Sequence, residues 1–185
     1  MPNYRRDQTP GATWFFTVVA FKRRPIFCDR KFRNSLKRAI LRTQENHPFN
    51  INAWVLLPDH LHCIWTLPEN DSNFSIRWKL IKQYVSRDCQ SEYPLQVSLS
   101  ASKRKRRESS IWQRRFWEHK IRGEKDYKTH LDYLHFNPVK HGYCDTPSEW
   151  RYSSFHRHQA EGIYPMNWAA TESSKSNTNF QYGES

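Results

Sequence analysis

Two short stretches carry side chains that could do chemistry. His60 and His62 flank Leu61 inside LLPDHLHCIWTLPE, a run that otherwise reads as a buried strand. Residues two apart on a strand point to the same face, so the two imidazoles can converge on one point while Leu61 turns to the other face. That geometry chelates: each Nε2 can reach a cation at about 2.1 Å. The second stretch is LDYLHFNP, 131–138. On a helix, Tyr133 and Asn137 stand at i and i+4, so a phenol and a carboxamide oxygen project from one face. Each stretch also has a plainer reading. The histidines could be hydrogen-bonded at a strand end, and Tyr133 could pack while Asn137 caps an ordinary amphipathic helix.

The elements that must position these groups follow from the pattern along the chain. TWFFTVVAF, 13–21, is aromatic and β-branched and predicts a strand. Residues 29–47 place Phe32, Leu36, Ile40 and Leu41 at helical spacing, with Asp29 as N-cap. FNINAWVLL, 49–57, and LHCIWTL, 61–67, predict two strands, antiparallel because only the turn PDH links them. Residues 73–90 predict a second helix. Residues 91–110 lose all pattern and contain five successive cations, 103–107, which reads as a mobile basic loop. WQRRFWEHKI, 112–121, predicts a fourth strand, and 123–142 a third helix ending near Asn137, because Pro138 disfavours its continuation. CDTPSEWRYSSFH reads as a structured extension with a buried Trp150, and the chain from 158 to 185 as a polar, disordered tail. The expectation is one α+β domain over 1–157. Its β-α-β-β-α-β order is ferredoxin-like, a four-stranded antiparallel sheet with two helices on one face. The third, tyrosine-bearing helix then lies on the open sheet face or at its edge.

Charge points to the partner. Thirty Lys and Arg against 18 Asp and Glu give +12 at neutral pH, a balance suited to nucleic acid, although a basic protein with no special partner would also show it. Arg5, Arg6, Arg77, Lys82, Arg114, Arg115 and Lys140 are the candidate phosphate contacts; Trp112 and Trp117 flank Arg114 and Arg115 and read either as stacking surfaces for bases or as core residues, the core reading being at least as good for Trp117. The four cysteines show no CxxC spacing, which argues against a zinc knuckle or a redox pair. No run reaches the ~18 apolar residues of a membrane span, and no secretory signal is evident. The reading is cytoplasmic, with reduced thiols and no membrane association.

In combination the stretches resemble the single-tyrosine HUH transposases, and more narrowly the REP-associated tyrosine transposases. The resemblance runs through YRR, TWFFTV, INAWVLLPDHLHCIWTLPE, IWQRRFWEHKIR, DYLHFNPVKHG and W-x-x-SSFHR, covering most of 4–157. It implies that His60 and His62 bind a divalent metal, Mg²⁺ or Mn²⁺. It implies that Tyr133 is the nucleophile and Asn137 the third ligand, where many related insertion-sequence enzymes have glutamine. The implied reaction is cleavage and rejoining of single-stranded DNA through a 5′-phosphotyrosine. The implied targets are REP sequences, imperfect hairpins with a short guide tetranucleotide, handled by a monomer or a homodimer. No general base for Tyr133 stands out, and His130 reads as a surface residue. Three rivals stay open: a non-catalytic RRM-like binding module for single-stranded nucleic acid, a metal-dependent hydrolase in which water attacks, and an inactive relative.

Overall fold

The computed structural model describes residues 7–94 and 111–169. The strands are β1 (Thr13–Val19), β2 (Asn50–Leu56), β3 (His60–Thr66) and β4 (Trp117–Lys120). The helices are α1 (Arg30–Asn46), α2 (Phe74–Cys89), α3 (Glu124–Lys140) and the short α4 (Phe155–Ala160). All strand pairs are antiparallel in the order β2-β3-β1-β4, and α1 packs against α2. This is the ferredoxin-like α+β arrangement expected from the element order.

Side-chain alternation separates two layers. Trp14, Phe16 and Val18 of β1 and Leu61, Cys63 and Trp65 of β3 join the α1/α2 layer through Phe32, Ala39, Trp78, Ile81 and Val85. The opposite face carries Phe15, Ala53, Val55 and Ile64 against Leu131, Tyr133 and Leu134 of α3 and Phe155 of α4. The tyrosine helix therefore covers the open sheet face rather than its edge. The outer edge of β2 is covered by the chain before α4. Leu56 N–H donates to the Tyr152 carbonyl, and Ser154 N–H to that of Trp54.

Five sequence expectations need correction. First, α3 does not stop at Asn137 but runs through Pro138 to Lys140. The proline removes one N–H, yet its ring is buried with Leu134, Phe136 and Asn137, and the chain ends the helix only at Gly142. There Gly142, at φ +70°, bonds back to Val139 and Tyr143 bonds back to Pro138, which is a Schellman termination. Second, Asp29 occupies the N-cap position of α1 but makes no cap bond, because its carboxylate accepts from the Tyr93 hydroxyl. Third, the fourth strand shrinks from 112–121 to Trp117–Lys120. Trp112 is held by a single bridge to Ala20 and is buried against Phe27 and Phe32, so it cannot stack a base. Fourth, Trp150 is half-buried, with its indole N–H donating to the Leu56 carbonyl. Fifth, packing continues past 157: Tyr164 and Ala169 are buried, and Trp168 packs on Phe155 and Tyr164.

Arg77 also departs from its expected role. Its side chain is fully buried on α2, in the layer away from the histidines, and its guanidinium donates to Asp71, Asn73 O and Pro48 O. A cation so engaged closes the loop before α2 and is not a phosphate contact. The Arg77 hydrogen bond in turn holds the Asp71 carboxyl below its ordinary range. Replacing Arg77 with Met strands those acceptors, and we expect a loss of about 3 kcal/mol in urea unfolding. Unchanged stability would refute this structural role.

Candidate metal and tyrosine site

Strand register sets the site. His62 of β3 lies between Thr17 of β1 and Val55 of β2, at the centre of the sheet, and His60 begins the same strand one pleat earlier. Both rings are buried on the α3 side, with centroids 5.0 Å apart and planes nearly perpendicular. Each Nδ1 is already committed. His60 Nδ1 lies 2.7 Å from the Asp59 carboxylate, and His62 Nδ1 lies 2.9 Å from the Thr17 hydroxyl. Such partners fix the tautomer and aim the other nitrogen, the pattern that supports ligating histidines. Although burial raises the Asp59 pKa, hydrogen bonds from His60 and Arg23 hold it down at about 2. Burial, followed by the charges of His60 and Lys140, drives His62 well below the ordinary histidine range. His62 is therefore a neutral imidazole at physiological pH, the form that binds metals.

Helix α3 crosses over this pair. The Tyr133 ring lies 5.4 Å from His62, and at the end of the helix the His141 ring lies 5.1 Å from His60. Asn137 is one turn from each and fully buried, so helical spacing sets it between the two histidines. Lys140 Nζ donates to the Tyr133 hydroxyl at 3.2 Å. The Phe15 ring packs beneath, 5.3 Å from His62 and 6.1 Å from Tyr133.

A divalent cation suits this donor set. His60 Nε2 is buried and makes no hydrogen bond among the described residues, an expensive state for a ring nitrogen with nothing to hold. His62 Nε2 and Asn137 Oδ1 are buried as well. Two imidazole nitrogens and one amide oxygen form a mixed N/O set that accepts Mn²⁺ or Mg²⁺ and leaves coordination positions for phosphate and water.

The structure brings His60, His62, Tyr133, Asn137 and Lys140 together. It does not bring the other expected cations there as a group. Arg114 and Arg115 are exposed on the segment leading into β4. Lys82 donates to the Gln113 carbonyl and lies over the Trp112 and Phe116 rings, anchoring that segment to α2. Arg5, Arg6 and the basic run 103–107 lie outside the described residues.

Sequence reasoning missed Thr17, Asp59 and His141. Thr17 carried a faint signal as the one polar side chain inside WFFTVV, and Asp59 stood beside His60 in PDH. It also misplaced His130, which is 2% exposed rather than on the surface. His130 stacks on His119 at 4.4 Å; His119 Nε2 lies 2.9 Å from the Asp126 carboxylate, and His130 Nδ1 bonds the Asp126 carbonyl at 2.9 Å with the same carboxylate 3.0 Å away. These ligand atoms lie within 4.8 Å of one another, but the mutual hydrogen bonds already give the group a structural task. It clamps the first turns of α3 to β4. A second buried network, His135 with Ser154 and Tyr164, and Tyr164 with Asp132, ties α3 to the chain around α4.

Comparison with known proteins gives a consistent picture. The profile of the family described as "Transposase IS200 like" matches residues 13–137. A REP-associated tyrosine transposase of Escherichia coli (strain K12) is 44% identical over 184 residues, covering 100% of this chain and 98% of that protein. A solved structure of a REP-associated tyrosine transposase bound to a REP hairpin superposes with a TM-score of 0.80 at 43% identity, covering 100% of this chain and 98% of the other.

Proposed function

The chain belongs to the IS200-like transposases, and on that premise we propose that it cleaves and rejoins single-stranded DNA at REP-type hairpins through a covalent 5′-phosphotyrosine on Tyr133. The observation that carries this reading is the stacking of α3 on the histidine strand, which sets a tyrosine beside two buried imidazoles whose Nδ1 atoms are already tied.

In the reaction, Tyr133 Oη forms a bond to phosphorus as the P–O3′ bond breaks. The phenol loses its proton, the departing 3′-oxygen gains one, and the 5′-phosphate stays on the tyrosine. The ester is exchanged rather than hydrolysed, so a later attack by a 3′-hydroxyl rejoins strands without an external energy source, and one difficult step becomes two easier ones. A divalent ion held by His60, His62 and Asn137 would supply positive charge for the phosphorane-like transition state. Asp59 and Thr17 hold each imidazole by its Nδ1 and so aim the two Nε2 atoms. Exposed Arg114 and Arg115 are suited to phosphate contacts beside the sheet, where counter-ion release makes affinity fall with salt. No helix among the described residues is long and apolar enough to cross a membrane. We place the activity in the cytoplasm, with its DNA.

The test is incubation with a labelled single-stranded REP hairpin and Mn²⁺, followed by denaturing electrophoresis and peptide mapping. The expected result is a DNA-linked protein whose adduct maps to the peptide carrying Tyr133. Cleaved DNA with no linked protein would establish hydrolysis and overturn the reading.

A further inference from the structure

The extension of α3 beyond Pro138 has a chemical consequence. Had the helix ended at Asn137, residue 140 would have left its face. Instead Tyr133, Asn137 and Lys140 stand at i, i+4 and i+7 along one stripe. The Schellman turn at Gly142 keeps that last turn helical. Lys140 Nζ thereby comes 3.2 Å from Tyr133 Oη, donating to it, and lies 4.8 Å from the ring centroid.

We propose, on the transposase reading above, that Lys140 is a catalytic residue acting on the tyrosine oxygen rather than a general grip on DNA. The donated hydrogen bond occupies one lone pair of Oη and fixes the direction of the other, which is the one that must face phosphorus. The ammonium also puts a positive charge beside the oxygen that carries negative charge whenever the P–Oη bond is partly formed. Because rejoining runs through the same bond in reverse, the charge serves both directions: it assists attack, and it stabilises the phenolate as that oxygen leaves. Lys140 gives up no proton in this role. It is a preorganised donor aimed at developing charge, as an oxyanion hole is, but on the nucleophile's side.

The competing role is a phosphate contact, and the two roles separate cleanly. Lys140→Met and Lys140→Arg are compared with wild type in three measurements: hairpin affinity at several salt concentrations, the single-turnover rate of adduct formation at saturating DNA with Mn²⁺, and the rate of strand rejoining. If Lys140 acts on Oη, Lys140→Met binds with unchanged affinity and salt slope, forms adduct about 100-fold more slowly and rejoins with a similar defect, while Lys140→Arg recovers most of both rates. If affinity falls, the salt slope drops by about one and the saturated rate is unchanged, the residue grips phosphate and the proposal fails. A measurement without DNA stands beside these. In protein labelled with ¹³C at tyrosine Cζ, Lys140→Met shifts the Tyr133 resonance if the hydrogen bond exists in solution, and an unmoved resonance overturns the proposal. A moved resonance with no wild-type adduct overturns the transposase reading, and the catalytic role with it.

Discussion

Tyr133→Phe is expected to bind the REP hairpin as tightly as wild type, unfold at nearly the same denaturant concentration, and form no covalent adduct. The structural part of this expectation rests on packing. The Tyr133 ring is 2% exposed, lies edge-on to His62 and Phe15, and fills the layer between α3 and the sheet. Phenylalanine keeps that volume, so no cavity forms, and the loss is the hydrogen bond from Lys140, worth about 1 kcal/mol. The chemical part is far larger. Deleting a covalent nucleophile removes the pathway itself, and strand cleavage should fall by on the order of 10⁵ or more. Gel shift, urea unfolding and the denaturing gel, run on the same preparation, read the three quantities. Cleavage persisting in the phenylalanine variant would make water the attacking group, and the site would then be a metal-dependent hydrolase with a structural tyrosine.

Where the sequence was a good guide, one pattern dominated locally. β1 and β3 read correctly because alternation along TWFFTVV and HLHCIWT divides cleanly between the two sheet faces. α2 read correctly because Asn73 accepts from Ile76 N–H as an N-cap should. The failures arose where two local signals competed or where the answer depended on a distant partner. At the end of α3, Pro138 reads as the stop in the sequence, whereas Gly142 four residues later is the residue that ends the helix. A buried proline near a C-terminus costs one hydrogen bond, and the layer between α3 and the sheet compensates. Arg77 looks like any surface cation in a basic chain, and only Pro48 and Asp71, brought close by the loop before α2, make it a buried one. His130 and Trp112 depart from the sequence reading for the same reason: each packs on partners from other parts of the chain, His130 on His119 of β4, and Trp112 on Phe27 and Phe32. The histidine pair was the reverse case, because a period-two spacing is a property of the strand alone.

His62 should be the most sensitive of the proposed ligands. It sits at the middle of the sheet, flanked on both sides by paired strands, with its Nδ1 held at Thr17. Backbone pairing fixes β3 against β1 and β2, so the strand cannot shift to bring another of its own residues into the place of His62 Nε2. His60, at the strand's first residue, and Asn137, on a helix, have more freedom to adjust. His62→Ala is therefore expected to lower metal-dependent cleavage by about 1000-fold or more, corresponding to the several kcal/mol of charge stabilisation a catalytic cation supplies. It also leaves the buried Thr17 hydroxyl without its imidazole, at a stability cost of about 1–3 kcal/mol. His62→Gln, which keeps more of the volume and a polar tip, separates the two effects. It should recover much of the stability but little of the rate, since an amide oxygen is a weaker donor to the cation than an imidazole nitrogen. Isothermal titration with Mn²⁺ supplies the independent readout: the binding isotherm of wild type should be lost in both variants, while hairpin affinity measured in chelator stays the same. If wild type cleaves equally well in excess chelator, or if His62→Ala still binds Mn²⁺ with wild-type affinity, the buried histidine pair is not a metal site. The mixed N/O centre proposed for His60, His62 and Asn137 would then have to be abandoned.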